Sequence, residues 1–204
     1  MFTLGAGIRL SNHNYYDTEI LHGFMEESWK KYLFPSFDGL WNKLHSTANL
    51  VQGKQYRNHT ATWYGPAEYS YTGVVHAKQM MPRTFQTIAM GVQKAMGIDN
   101  KYYFNSILAN CYTNKGIAAH SDNESIFKDY GGDIGAVATI SFGEPAKVSF
   151  INSNINQGDL VVKDDSIYIM PSGQFQFKYK HAVEPMKSGK RISLTFRHIP
   201  KERI

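Results

Sequence analysis

The triplet His120-Ser121-Asp122 sets an imidazole and a carboxylate two residues apart. In an extended strand such residues point to one face, so both groups can aim at a single cation. A third ligand from another strand would complete a set of two His and one carboxylate, and His181 is the best candidate. On an octahedral ion these three ligands take one face and leave three positions open, which suits a non-haem iron(II) that must bind a cosubstrate and oxygen together. The triplet alone is weak: with eight His and nine Asp in 204 residues, a His-x-Asp arises by chance about 0.35 times per chain. A hydrogen-bonded loop pair at His120 and Asp122, and a satisfied strand-end histidine at His181, are the plain alternatives.

The last strand-like segment adds weight. Arg191 to Arg197 alternates strictly, with Ile192, Leu194 and Phe196 on one face and Arg191, Ser193, Thr195 and Arg197 on the other. Two arginines on the inner face of a small domain need anions, because a guanidinium buried without a carboxylate costs several kcal/mol, on the order of a whole buried ion pair. A dicarboxylate ligand supplies two. The alternative is an outward face salt-bridged to Asp or Glu. The same alternation puts Asn110 and Tyr112 on one face just ahead of His120, and both side chains can hydrogen-bond a carboxylate oxygen.

The elements that must position these groups fall into two textures. From Asp17 to Leu33 the apolar residues Leu21, Phe24, Met25, Trp29, Tyr32 and Leu33 recur at three-to-four spacing, which predicts an amphipathic helix with Asp17 or Thr18 as N-cap. A second helix is predicted from Pro82 to Gly97, with Phe85, Ile88, Ala89, Val92 and Met96 on its stripe. From Tyr102 onward the period shortens to two. Strands are predicted at Tyr103 to Tyr112, Gly135 to Phe142, Ala146 to Ile151, Asp159 to Val162, Ser166 to Met170, Phe175 to His181 and Arg191 to His198. Many short strands with close turns predict a mainly β fold, a sandwich or jelly-roll barrel with helices packed outside.

Composition sets the outer bounds. A length of 204 residues fits one domain, and no run of about 18 apolar residues is available to cross a bilayer. The beginning Met1-Phe2-Thr3-Leu4-Gly5 lacks a secretory signal's basic and apolar stretches, so an intracellular location is expected; a monomer is expected as well. One cysteine, Cys111, excludes an internal disulfide and a cysteine-based zinc site and suits a reducing compartment; the Asn58-His59-Thr60 sequon is then coincidental. A net charge of +5 favours an anionic partner and allows nucleic acid.

Taken in order, Asn110-x-Tyr112, His120-Ser121-Asp122-Asn123-Glu124, Ser141-Phe142-Gly143, His181 and Arg191-x-Ser193-Leu194-Thr195-Phe196-Arg197 resemble the AlkB-type iron(II) and 2-oxoglutarate dependent dioxygenases. The likeness extends upstream through Arg57 to Gly65 and Tyr69-Ser70-Tyr71-Thr72-Gly73, so it spans roughly residues 55 to 198. It implies a double-stranded β-helix in a single domain over 1–204, with N-terminal helices and a nucleotide-recognition lid up to about residue 100 and the catalytic core from about 101 onward. It also implies iron on His120, Asp122 and His181, 2-oxoglutarate held by Arg191, Tyr112 and Asn110, and Arg197 supporting the metal-proximal end of the cosubstrate.

The reaction implied by the resemblance consumes oxygen and 2-oxoglutarate, yields succinate and carbon dioxide, and hydroxylates an N-methyl carbon on a base of methylated RNA or DNA, which then releases formaldehyde. Tyr69 and Tyr71 fall on the family's lid hairpin, where aromatic rings contact an extruded base, and ordinary strand tyrosines are their alternative. Glu124 matches an acidic position facing the base, where a carboxylate favours cationic 1-methyladenine or 3-methylcytosine; an exposed loop charge is its alternative. A finer similarity, in Phe175-Gln176 and Lys180-His181-Ala182-Val183, is to AlkB-like domains of plant RNA virus replication polyproteins, which implies RNA as substrate and the host cytoplasm as location. Tyr179 departs from a frequent histidine of those domains, and Gly173 stands one place too far from Phe175. Two competing functions remain open at this point: hydroxylation or demethylation of a protein side chain, and an inactive module that binds nucleic acid.

Overall fold

The computed structural model describes residues 1–10, 19–52, 59–71, 73–97 and 103–204. Two antiparallel sheets face each other. The larger contains β1 (Phe2–Leu4), β3 (Glu19–Met25), β4 (Thr60–Tyr64), β7 (Ser106–Thr113), β9 (Val137–Gly143), β12 (Ser166–Met170) and β14 (Lys190–Arg197), with β2 (Ile8–Arg9) paired to β3. Its spatial order is β1-β3-β12-β9-β14-β7-β4. The smaller contains β8 (Ile117–His120), β10 (Ala146–Asn152), β11 (Ile155–Val162) and β13 (Lys180–Val183) in the order β11-β10-β13-β8. A separate hairpin pairs β5 (Tyr69–Tyr71) with β6 (Val74–His76). This is the expected jelly-roll arrangement: neighbours distant in sequence, helices outside. No helix among the described residues is long and apolar enough to cross a membrane.

Alternation along β14 divides the interior. Ile192, Leu194 and Phe196 pack with Ile107, Ala138 and Ile140 against Leu40, Trp41, Leu44, Phe85, Ile88 and Val92 of α2 (Phe37–Gln52) and α3 (Arg83–Met96). The other face of the large sheet meets the small one, where Val137, Tyr168 and Met170 pack on Val148, Phe150, Val162 and Phe175. Arg191, Ser193, Thr195 and Arg197 therefore point between the sheets. A third cluster of Trp63, Tyr69, Leu108, Phe127, Ile134 and Ile199 lies beneath the β5–β6 hairpin.

The helix expected from Pro82 to Gly97 is present as α3. Pro82 sits at its N-cap, and Gly97 closes it in the left-handed region at φ 62°, where a side chain would be strained. The helix expected from Asp17 to Leu33 is not what forms, and Asp17 and Thr18 lie outside the described residues. The segment is strand β3 followed by the short helix α1 (Glu27–Leu33). Ladders to both β1 and β12 override the helical spacing, and Gly23 shows why: a Cβ there would lie 2.1 Å from the Thr3 carbonyl oxygen. Helix α2 was not anticipated, although Phe37, Leu40, Trp41 and Leu44 follow helical spacing.

Two further expectations are corrected near the ligands. Phe175 to His181 is not one strand: Phe175–Lys178 forms a single helical turn, α4, and β13 starts at Lys180. The Phe175 and Tyr179 rings stack at 4.8 Å, four residues apart, so the local period is that of a turn. His181 is consequently the second residue of β13. Strand β8 ends at His120, which leaves Asp122 in the following loop. Nor does residue 100 mark a change of layer, because β1, β3 and β4 belong to the same sheet as β7 and β14.

If the outer face of β14 is core, Leu194→Ala, at a fully buried site, lowers unfolding free energy by about 2–5 kcal/mol in urea denaturation. An unchanged midpoint would show that this face is not packed.

Candidate metal centre and cosubstrate cleft

His120 and His181 are opposite one another in the β8–β13 ladder, which brings their ring centroids to 4.2 Å. One ligand atom from each of His120, Asp122 and His181 lies within 4.8 Å of the others. The Nδ1 of His120 donates to the Ala118 carbonyl at 2.9 Å, which fixes the tautomer and leaves Nε2 as a free lone pair. That Nε2 is 3.9 Å from Asp122 Oδ1.

Strand alternation does not aim Asp122; three contacts from other elements do. Its backbone N–H donates to Gln176 Oε1 at 3.1 Å, and the neighbouring Ser121 hydroxyl donates to the Tyr179 carbonyl at 2.9 Å. Arg197 Nη2 lies 2.8 Å from Asp122 Oδ2 in an ion pair buried on both sides. Burial alone would raise the Asp122 carboxyl, but Arg197 and the two imidazoles hold it down at about 2. Burial, with His120 nearby, lowers His181 to about 3, so its ring is neutral and able to bind a metal.

A cleft opens beside the three ligands. Asn110, Tyr112, Arg191, Ser193 and Arg197 line it, together with Tyr71. Arg191 is 1% exposed, donates to Ser141 Oγ at 2.8 Å and lies over the Tyr112 ring, but no carboxylate pairs with it among the described residues. Burial accordingly lowers its pKa, whereas Asp122 raises that of Arg197 against the pull of burial. Arg191 Nε and Asn110 Oδ1 are buried without a hydrogen-bond partner. A polar pocket with an uncompensated cation at its base calls for an anion.

The structure thus gathers His120, Asp122, His181, Asn110, Tyr112, Arg191 and Arg197 at one cleft. It separates the roles expected of the two lid tyrosines. Tyr71 reaches the cleft, with its ring 6.4 Å from that of His120. Tyr69 is only 1% exposed, packed against Trp63, and donates its hydroxyl to Glu124 Oε1 at 2.7 Å, so it backs Tyr71 instead of offering a face of its own. Glu124 keeps its second oxygen, Oε2, buried.

Several participants were missed by sequence reasoning. Thr139 and Ser141 were legible as the polar alternates of an otherwise apolar β9, yet Ser141 was noticed only as part of a motif. Tyr168 also lines the cleft, beside Thr195, which the alternation of the last strand already places on the inner face. Gln176 entered the sequence reading only within Phe175-Gln176, and nothing local pointed to its role, because its amide serves a loop 54 residues away. His59, buried beside Tyr112, also escaped notice.

Metal and acid test this geometry separately. Manganese(II), an inert stand-in for iron(II), raises the melting temperature of the wild type and not of His120→Ala; equal shifts would dissolve the ligand set. Burial places His59 at about 4, and His181 at about 3, below the ordinary 6.5. The unfolded chain therefore takes up these protons first: stability is complete above pH 6.5 and declines as pH falls toward 4, by roughly 3 kcal/mol for His59 at full effect. Asp122, whose pKa is likewise lowered on folding, acts in the same direction, but only as pH falls from 3.8 through about 2. His59→Gln flattens the metal-free melting curve between pH 6.5 and 4, and an equally steep curve would refute the assignment.

Comparison with known proteins identifies a family and a similar fold. Residues 17–197 match the family described as the 2OG-Fe(II) oxygenase superfamily. The chain is similar in fold to the solved structure described as "The structure of OsALKBH1", with a TM-score of 0.56 at 15% sequence identity, covering 81% of this chain and 95% of that one. No curated protein matches it.

Proposed function

Because the chain belongs to the 2OG-Fe(II) oxygenase superfamily, a dioxygenase group that uses iron(II) and 2-oxoglutarate, we propose that it removes methyl groups oxidatively from N-methylated bases in nucleic acid. RNA is the favoured form, and bases of the 1-methyladenine and 3-methylcytosine type are the favoured targets. One observation carries the assignment of cosubstrate and chemistry: the fully enclosed, anion-free guanidinium of Arg191 lies in the same cleft as the His120, Asp122 and His181 ligand atoms.

The residues divide the work. His120, Asp122 and His181 hold iron(II), which supplies with oxygen and 2-oxoglutarate the oxidising power to hydroxylate a methyl C–H bond. Arg191 pairs with the distal carboxylate of 2-oxoglutarate, and Tyr112 and Asn110 donate hydrogen bonds beside it. Arg197 neutralises Asp122 and orients its carboxylate, and its place in the cleft lets it steady the near end of the cosubstrate. Tyr71 gives the base a stacking face, with Tyr69 behind it. Glu124, anchored by the Tyr69 hydroxyl, favours bases made cationic by methylation. Loss of formaldehyde from the hydroxymethyl product needs no further side chain, because the carbon–nitrogen bond breaks as the hydroxyl proton leaves. The net charge of +5 and the fold likeness to OsALKBH1 support a nucleic-acid substrate.

Mass spectrometry of methylated RNA and DNA oligonucleotides, incubated with iron(II) and 2-oxoglutarate, tests the reading. Methyl groups disappear from 1-methyladenine or 3-methylcytosine, faster in RNA, and His120→Ala abolishes the loss. Equal product from that variant and the wild type would end the mechanism. Arg191→Ala raises the 2-oxoglutarate concentration for half-maximal succinate formation roughly tenfold to a hundredfold, the worth of one or two charge-assisted hydrogen bonds. Arg191→Lys recovers only part, lacking the planar fork. An unchanged requirement in Arg191→Ala would remove it from the cosubstrate site.

A further inference from the structure

Two aromatic rings are exposed on the chain segments that follow Asp122 and precede His181: Tyr130 is 88% exposed and Phe177 is 39% exposed. The turn carrying Tyr130 is closed by Asp129 N–H to the Asp133 carbonyl at 3.0 Å, and a bridge joins Ile134 to Gly173, just before α4 and Phe177. Lys128 Nζ lies 5.0 Å from the Phe177 ring centroid, and Arg203 Nε donates to the Lys128 carbonyl. Lys178 and Lys180 are exposed on the same stretch of chain. The acids here are Asp129, Asp133 and Glu202. Asp129 Oδ1 accepts from Asp133 N–H, Asp133 Oδ1 accepts from Gln174 Nε2, and Glu202 is offset by its neighbour Lys201. The five cations Lys128, Lys178, Lys180, Lys201 and Arg203 still outnumber these three acids.

This ledge is joined to the loop of Asp122 by the contacts made by Gln176 and Tyr179, while Lys180, one residue before His181 in β13, lies on the outer, exposed face of that strand. Four residues of chain reach at most about 14 Å, so Phe177 and the metal ligand His181 are no farther apart than that. We propose that the ledge formed by Lys128, Tyr130, Phe177 and Lys180 binds the single strand flanking the reacting nucleotide. Phosphates pair with the lysines and a base stacks on Phe177 or Tyr130. This inference rests on the nucleic-acid reading above. Flat exposed rings interleaved with cations suit a strand better than an acidic peptide, because every base offers a π-face while acidic side chains offer none.

Fluorescence anisotropy with unmethylated oligouridylates roughly 4 and roughly 16 nucleotides long, the range of single-strand sites, reads the ledge without catalysis. The longer strand binds more tightly to the wild type. Phe177→Ala weakens it about five- to tenfold, Phe177→Trp restores it, and Lys128→Ala with Lys180→Ala lowers the salt slope by roughly one to two. Tyr32→Ala, exposed on α1, binds as the wild type does. Unchanged binding in the Phe177 and lysine variants, alongside demethylation by the wild type, would discard the ledge and spare the nucleic-acid reading. Absence of both binding and demethylation in the wild type discards both. Binding of oligoglutamate with the same dependence on Phe177 assigns the ledge to an acidic protein segment and overturns the proposal.

Discussion

Burying two guanidinium groups between two sheets is the constraint on which the rest of this structure depends. Arg191 and Arg197 cannot swing to water, since both lie inside a packed domain at 1% and 4% exposure. Each must be answered by an anion or be a standing cost. The fold answers one of them itself: Arg197 takes Asp122. The other gets a hydroxyl from Ser141 and the face of Tyr112, which are partners for a guanidinium's geometry but do not neutralise its charge. The unequal treatment makes the site selective, because a cavity whose acid is already engaged and whose second cation is unanswered prefers a guest with a carboxylate at that end.

The ion pair also explains how a metal ligand can be held ready in a dry place. An Asp as buried as Asp122 would tend to take a proton, and a protonated carboxyl is a poor ligand. Arg197 keeps it ionised while Gln176 fixes its backbone. The imidazoles follow the opposite logic: burial keeps His181 neutral, and the Ala118 carbonyl keeps one nitrogen of His120 protonated so that the other stays open. Ligand chemistry is thus set by groups that do not themselves bind metal, a common division of labour in such centres.

How much of this could be read from the chain follows from the range of each interaction. Alternation is local, so Arg191, Ser193, Thr195 and Arg197 declared a polar inner face in β14, and Asn110 and Tyr112 did so in β7. The helix α3 announced itself through Pro82, its apolar stripe and Gly97. Misreadings arose where a distant partner decided local form. Leu21, Phe24 and Met25 fit a helix until β1 and β12 claim their backbone as a strand. Asp122 looked like a strand residue paired with His120, whereas an amide from α4 sets its position. The burial of Tyr69 was equally hidden, since it depends on Trp63 and on Glu124, 55 residues away.

The lid hairpin follows from the same reasoning. Two strands of three residues, with no third strand beside them among the described residues, are marginal by themselves. What keeps β5 against the domain is Tyr69, its ring 4.5 Å from Trp63 and its hydroxyl on Glu124. Glu124 follows Asp122 by two residues, so the lid is fastened to the loop that carries a metal ligand. The fastening fixes the inner residue of the strand and leaves Tyr71, nearer the turn, half-buried at the cleft. Under the proposed function a base entering the cleft meets the Tyr71 ring, which is backed by that of Tyr69. In the proposed function, base recognition and metal binding would share one anchor, because the hairpin is fastened to the loop that places Asp122.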